Sequence, residues 1–346
     1  MQANKAAAIL TVGLFNLAYN SAQKSAYKPV DKPVFKLANT QAMPAAFLIG
    51  WLVLMLVGSA WSVPLQVVTT TTELRSLVQA IGGNSVRATS LVQGDRDAEE
   101  YVARPQDVLL LRQAQLVVRI GLDYDLWLDA LLLNARKPDL LKGGKAYVDA
   151  SQGIMLLDVR PGGLADTGHS HGAGNPHYWL DPKNAELMTA GILLALADLS
   201  PANAKQFEAR RTDLLERLAK RQSDWQQRLK PLAGQALIAY HNSWPYLARR
   251  FHLNFVGTIE PRPGVTPPPA HLARLLRTIR EQKVAGIVVG TREPRKDAEF
   301  LSAKTGIPIV MLAESVGATS AITSYEELLE FNVKQLENIL TQGKNP

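Results

Sequence analysis

The segment "PANAKQFEARRTDLLERLAKRQSDWQQRLKPL", residues 201–232, decides the fold of this chain. It contains no glycine, and its two prolines stand near its ends, so nothing in its interior interrupts a helix. Its apolar side chains form a narrow stripe at helical spacing: Phe207, Leu214, Leu215, Leu218 and Trp225. Because most of the helix circumference is polar, we predict one long helix that lies on a surface or bridges two bodies.

Strand-like and helical patterns alternate on both sides of this helix. Before it, the strand-like run "LVVRIG" at 116–121 is followed by the helical pattern at 124–135. After it, the runs at 235–240 and 284–290 are separated by further helical patterns. Such alternation is typical of parallel sheets covered by helices. We therefore predict an α/β fold of two lobes, each with a mainly parallel β-sheet flanked by helices, joined by one long helix.

These patterns also set the expected domain boundaries. We expect an N-terminal lobe over 63–200, the linking helix over 201–232 and a C-terminal lobe over 233–346. An extension with a signal or anchor segment, residues 1–62, precedes them.

The N-terminal region contains an uncharged run of 16 residues, Ala45–Ala60. This run is shorter than the roughly 20 apolar residues of a membrane span, and it ends in small residues, as a secretory signal does. The pattern Ala60-Trp61-Ser62 predicts cleavage before Val63, and an uncleaved anchor is the alternative. Met43 is an alternative start of translation. We therefore expect export to the periplasm.

Composition excludes several classes of protein. A hydrophobic content of 47% is enough for sizeable cores. The chain has no cysteine, which excludes disulfides, thiolate zinc sites and lipid attachment at an N-terminal cysteine. Most of the formal net charge of +7 lies in residues 1–62, and no stripe of basic and aromatic residues follows, so we expect no nucleic-acid partner.

The stretch "HSHGAGNPHYW", residues 169–179, holds three of the six histidines. Prolines on both sides stiffen the chain around His177, and an aromatic pair follows it, so His177 is the positioned candidate for a metal ligand. His169 and His171 stand among glycines and are expected to form an accessory loop that collects metal.

Further candidates stand where predicted strands end. His241 directly follows an apolar strand, Glu99 and Glu100 follow the strand before them, and Glu314 follows the strand "PIVML". In open α/β sheets, ligands bind beyond the carboxyl ends of the strands. Taken alone, each carboxylate could equally be a surface charge exposed to solvent, and His241 could equally cap a helix or make a buried hydrogen bond.

Four segments taken together make the chain resemble the solute-binding proteins of zinc and manganese ABC importers, the ZnuA/TroA type. The matching segments are "GDRDAEEY…LDALL" (94–132), "NPHYWLDPKNA" (175–185), "AYHNSWPYLARRFHLNFVGTIEP" (239–261) and "TGIPIVMLAESVGA" (305–318). They occur in the order of the family, and the likeness extends over nearly the whole chain after residue 62.

The resemblance implies a set of four metal ligands. His177 and His241 fall on ligand positions of the family. The first ligand, usually a histidine after Asp-Pro, falls here on Glu99, with Glu100 as the alternative. The last ligand, normally an aspartate, falls nearest Glu314.

The same resemblance implies capture of a divalent metal and its delivery to an ABC transporter permease, by a monomer and without catalysis. Two imidazoles and two carboxylates suit Zn2+, with Mn2+ or Fe2+ as alternatives because oxygen donors favour harder ions. A metal chaperone or adhesin without a transport role is a second interpretation. A zinc hydrolase is disfavoured, since the sequence has no H-E-x-x-H motif, nucleophile elbow or phosphate-binding glycine loop.

Overall fold

The computed structural model describes residues 63–158 and 174–342, which belong to one compact unit. The predicted signal segment within residues 1–62, and both His169 and His171, lie outside the described residues. Within the described ranges, no helix is sufficiently long and apolar to span a membrane.

The first half of the described chain builds one parallel sheet. Its strands are β1 (Leu65–Thr69), β2 (Val86–Ser90), β3 (Leu116–Arg119) and β4 (Tyr147–Asp149), in the order β2-β1-β3-β4. All three strand pairs are parallel. The helices between and after them are α1 (Thr72–Gly82), α2 (Pro105–Gln113), α3 (Trp127–Ala135) and α4 (Ala185–Leu199).

The second half repeats this arrangement. The strands are β5 (Ala236–Ala239), β6 (Asn254–Thr258), β7 (Gly286–Gly290) and β8 (Ile309–Leu312), in the order β6-β5-β7-β8, again with parallel pairs. After α5 (Ala204–Leu229) come α6 (Pro245–Phe251), α7 (Pro269–Glu281), α8 (Lys296–Thr305) and α9 (Tyr325–Gln342). The predicted α/β fold with two parallel sheets is confirmed. In both sheets the strand order reverses beside the first strand, and ligands bind at such switch points.

The long helix α5 lies within the predicted range 201–232 and is flanked by short 3₁₀ turns. Its buried face consists of Phe207, Leu214, Leu218, Trp225 and Leu229. This face packs against α1 and α4 of the first lobe and against α9 of the second. The helix therefore joins the lobes by packing along both of them.

The two sheets share one hydrophobic core. A continuous cluster of buried side chains includes Val118 of β3, Trp225 of α5 and Val288 of β7. Tyr325, at the start of α9, is 1% exposed, and its hydroxyl donates a hydrogen bond of 2.5 Å to the carbonyl of Trp179 in the first lobe. Such a large apolar contact restricts relative motion of the lobes.

A buried ion pair reinforces this contact. Asp181 is fully buried, and its carboxylate accepts hydrogen bonds from Arg250 at 2.6 and 3.0 Å and from Arg249 at 3.3 Å. Asp181 follows the His177 segment, whereas both arginines belong to α6. The pairing therefore fixes the chain around His177 against the second lobe.

Replacing Trp225 by alanine tests the role of α5. The indole is fully buried and donates a 2.7 Å hydrogen bond to Glu330 of α9. Its loss leaves a cavity and should lower the free energy of unfolding by about 3–5 kcal/mol. Urea unfolding followed by circular dichroism measures this loss.

Lys220→Ala, on the exposed face of the same helix, is the matched control and should change stability by less than about 0.5 kcal/mol. Equal effects of the two substitutions would contradict the structural role given to the buried face.

Candidate metal centre

Polar side chains collect beyond the carboxyl ends of the strands in both sheets. Glu99 follows β2, His241 follows β5, Glu260 follows β6, Arg292 follows β7 and Glu314 follows β8. All five line one cleft, and that cleft also contains His177. The parallel topology thus brings to one place residues that are far apart in the sequence.

Glu99, His177 and His241 form the group that can hold a metal ion. One ligand atom from each lies within 4.8 Å of the other two. Oε1 of Glu99 is 3.3 Å from Nε2 of His177, and the two imidazole centroids are 6.0 Å apart. Tetrahedral Zn2+ with bonds of about 2.0–2.2 Å separates its ligand atoms by about 3.4 Å, so the three residues fit this ion after small side-chain shifts.

Asn175 orients the imidazole of His177. Oδ1 of Asn175 accepts a hydrogen bond from the backbone N–H of His177 at 3.0 Å and lies 3.2 Å from its Nδ1. This contact favours a proton on Nδ1, which leaves Nε2 as the ligand atom towards Glu99. The side-chain amide of Asn175 also donates to the carbonyl of Asn242, at 2.7 Å, beside His241.

Aromatic rings surround His177, which is only 2% exposed. The rings of Tyr124 and Trp179 lie 5.6 and 5.2 Å from the imidazole, measured between centroids. The indole N–H of Trp179 donates to the backbone carbonyl of Glu314 at 2.8 Å. The first-lobe histidine is therefore packed directly against the second lobe.

The loop that carries Glu99 is held at two neighbouring points. Oδ1 of Asp97 accepts a hydrogen bond of 2.8 Å from the backbone N–H of Glu99, which closes a tight turn. The indole N–H of Trp127 donates to the carbonyl of Ala98 at 2.8 Å. The turn directs Glu99 into the cluster, whereas the adjacent Glu100 is exposed, lines the cleft and is not part of the cluster.

A carboxylate also orients His241. Nδ1 of His241 lies 2.6 Å from Oε2 of Glu260, whose other oxygen accepts a 2.6 Å hydrogen bond from the backbone N–H of Gly264. Burial lowers the pKa of the imidazole, but Glu260 and the charges of Glu99 and Glu314 outweigh this and raise the pKa to about 9. In the metal-free protein His241 is therefore protonated at neutral pH.

The structure places Glu314 in the wall of the same cleft but outside the three-residue cluster. Its Oε2 is 2.6 Å from Nη2 of Arg292, and its Oε1 accepts a hydrogen bond from the hydroxyl of Ser243. Burial raises the pKa of Glu314, but Arg292, His177 and Ser243 together bring it below the ordinary value. The carboxylate is therefore ionised and held by two partners of the second lobe.

Sequence reasoning missed Glu260 and Arg292. Both directly follow strands at the carboxyl edge of the second sheet, as His241 and Glu314 do. The rule that identified His241 and Glu314 would have found these two residues as well.

The sequence model of the family described as "Zinc-uptake complex component A periplasmic", ZnuA, matches residues 67–339. The chain belongs to the ZnuA family. Members of this family are metal-binding, substrate-binding components of ABC importers, and the resemblance noted in the sequence is confirmed.

Curated relatives cover most of the chain at low identity. The metal ABC transporter substrate-binding lipoprotein SloC of Streptococcus mutans is 25% identical over 289 residues, which is 80% of this chain and 90% of SloC. The manganese ABC transporter substrate-binding lipoprotein PsaA of Streptococcus pneumoniae is 24% identical, over 79% of this chain and 87% of PsaA. The zinc-binding lipoprotein AdcA of the same species is 25% identical over 80% of this chain, which spans 56% of AdcA.

Solved structures of ZnuA have the same fold. A crystal structure of ZnuA superposes with a TM-score of 0.67 at 25% identity, covering 80% of this chain and 99% of that one. A ZnuA deletion mutant with zinc bound gives a TM-score of 0.66 at 27% identity, covering 80% and 98%. Because the relatives include proteins named for manganese and for zinc, the likeness alone does not select a metal.

The Glu260→Gln substitution tests the environment of His241. Removing this negative charge should lower the pKa of His241 from about 9 by about one unit or more, because an adjacent opposite charge shifts a pKa by that amount. Histidine NMR titration of the metal-free protein measures the pKa, with Glu216→Gln on exposed α5 as the control.

The raised pKa also has a consequence for stability. Protonated His241 stabilises the fold fully below about pH 6.5, and this contribution is lost as the pH rises through about 9. The pH-dependent loss of stability should be smaller in Glu260→Gln. An unchanged pKa of His241 in this variant would show that Glu260 does not control the imidazole.

Proposed function

We propose that this protein captures one Zn2+ in the cleft between its lobes, in the periplasm, and delivers it to an ABC transporter permease. The observation that carries this proposal is the group formed by Glu99, His177 and His241. Both imidazoles have an oxygen beside Nδ1, which leaves Nε2 for the metal. Membership of the ZnuA family supports a transport role.

The donor set favours zinc. Two imidazole nitrogens and one carboxylate oxygen, with water as the fourth ligand, match the tetrahedral coordination of Zn2+. Mn2+ and Fe2+ accept similar ligands, but Mn2+ prefers octahedral sites rich in oxygen donors. Glu314, the sequence-based candidate for a fourth protein ligand, lies outside this group, and Mn2+ or Fe2+ is the alternative cargo. The same donors occur at catalytic zinc sites, so the assignment to transport depends on the family.

The fold supports release by a local movement. The two sheets share one core around α5, and this core opposes a wide hinge opening. The loop with Glu99 is attached through hydrogen bonds from Trp127, from Arg292 and within its own turn, whereas His177 is buried among aromatic rings. We infer that the cargo leaves when this loop moves, while His177 and His241 stay in place.

The double substitution His177→Ala with His241→Ala tests the site. It removes both nitrogen ligands, and calorimetric titration with Zn2+ should change from about one ion per chain to no measurable binding. Cells that lack the native protein and produce this variant should fail to grow when zinc is scarce.

His252→Asn is the matched control, because His252 is exposed, lies outside the cleft and has a left-handed backbone that asparagine tolerates. Retention of tight zinc binding by the double variant would refute the proposed site. Loss of binding without an effect on growth would favour a chaperone or adhesin.

The pair Glu99→Gln and Glu100→Gln tests which acidic residue replaces the usual histidine of the family. Glu99 lies in the cluster and Glu100 does not. Glu99→Gln should weaken zinc binding by about tenfold or more, which corresponds to 1.4 kcal/mol, whereas Glu100→Gln should leave the affinity nearly unchanged. The same calorimetric titration measures both, and the opposite result would assign the ligand to Glu100.

A further inference from the structure

One arginine stands among the acidic side chains that line the cleft in the described part of the chain. Of the cleft-lining residues in the described part of the chain, Arg292 is the only lysine or arginine. The carboxylates that line the same cleft are Asp97, Glu99, Glu100, Glu260, Glu293 and Glu314. The permanent positive charge of Arg292 repels a dication bound in the cleft and so weakens its binding. A role for Arg292 in this position therefore has to outweigh that cost.

The guanidinium of Arg292 connects three parts of the site. Its Nη2 donates to Oε2 of Glu314 at 2.6 Å. Its Nη1 donates to the backbone carbonyl of Arg96 at 2.9 Å, in the loop that carries Glu99, and lies 3.3 Å from the hydroxyl of Ser315. The side chain is only 17% exposed.

The backbone of the loop that carries Glu99 also contacts the backbone of the segment after Glu314. A side chain at Gly94 would place its Cβ 2.0 Å from the carbonyl oxygen of Val316, so only glycine fits there. The Glu99 loop and the segment after Glu314 are therefore in contact, and Arg292 lies across this junction.

We propose that Arg292 is a specificity-determining residue that holds Glu314 away from the cargo ion, so that the site offers three protein ligands and selects zinc over manganese. The proposal rests on the function proposed above and concerns the selectivity of the same site.

The contacts of Glu314 support this role. Both of its oxygens already accept hydrogen bonds, from Arg292 and from Ser243. Hydrogen bonds to charged groups are stronger than those between neutral groups, and arginine stays protonated, so the contact with Arg292 persists across the accessible pH range. Glu314 is not part of the group whose ligand atoms lie within 4.8 Å of one another, so coordination by Glu314 requires its carboxylate to move from its place between Arg292 and Ser243.

The number of protein ligands affects the two metals differently. Zn2+ is satisfied by three protein ligands and one water in a tetrahedron. Mn2+ prefers six ligands, mainly oxygen. Keeping the carboxylate of Glu314 away from the ion therefore weakens manganese binding more than zinc binding. Releasing Glu314 from Arg292 should reduce the preference of the site for zinc.

The test is competitive calorimetry with Zn2+ and Mn2+ on the wild type, Arg292→Gln, Glu314→Gln and the double variant. Arg292→Gln removes the charge and frees Glu314, so the ratio of manganese to zinc affinity should rise by about tenfold or more. Loss of the positive charge alone favours both dications, which is why the ratio is measured. In the double variant the ratio should return to near the wild-type value.

Arg292→Lys is the charge-matched control. It keeps a cation beside Glu314, so its affinity ratio should stay close to that of the wild type. If Arg292→Gln does not fold, as judged by circular dichroism, Glu314→Gln still tests the proposal, because the proposal requires that this variant keep the zinc affinity of the wild type.

Two outcomes would overturn the proposal. One is an unchanged affinity ratio in folded Arg292→Gln. The other is a loss of zinc affinity of about tenfold or more in Glu314→Gln, since Glu314 would then coordinate the ion in the wild type. A wild-type protein that binds neither metal would instead refute the proposed function.

Discussion

The hydrophobic core that the two sheets share is the constraint on which the site depends. Glu99 and His177 come from one lobe and His241 from the other, so their ligand atoms stay close only if the lobes do not slide. The stripe of apolar residues on α5, the Trp179–Tyr325 hydrogen bond and the buried carboxylate of Asp181 all act at this junction. Packing therefore fixes the distances within the group of three residues that could hold a metal ion.

Because the core holds the two lobes close together, acidic side chains from both lobes come near one another in the cleft. Many carboxylates meet in a small volume, and the protein reduces their repulsion in three ways. Arg292 pairs with Glu314, and His241 takes up a proton beside Glu260. Burial and the charge of Glu314 raise the pKa of Glu293 to about 8, which keeps Glu293 neutral near pH 7. A bound dication would replace the proton of His241 as the compensating charge.

Much of this architecture follows from local sequence patterns. Alternating strands and helices, and the narrow apolar stripe at 201–232, predict the two parallel sheets and the long helix that packs along them. The sequence marks His177 as a candidate metal ligand because prolines stiffen the chain on both sides of it. It marks His241 as a candidate because this residue stands at the end of a strand. These signals are local, and the parallel topology converts them into a common edge of the sheets.

Side-chain pairing across the cleft is not encoded in such patterns. Whether Glu314 faces the metal position or Arg292 depends on side chains from two different strands, and neither sequence neighbourhood specifies the other. The choice between Glu99 and Glu100 likewise depends on a turn closed by Asp97 and on Trp127, which is distant in the sequence. Predictions from sequence are therefore weakest for the side-chain pairings on which the proposed metal selectivity depends.

Anomalous X-ray diffraction at the zinc absorption edge, on crystals grown with one equivalent of Zn2+, tests the central claim most directly. We predict a single strong peak at about 2.0–2.2 Å from Nε2 of His177, Nε2 of His241 and a carboxylate oxygen of Glu99. A peak bonded to a different set of residues, or the absence of any peak in the cleft, would contradict it.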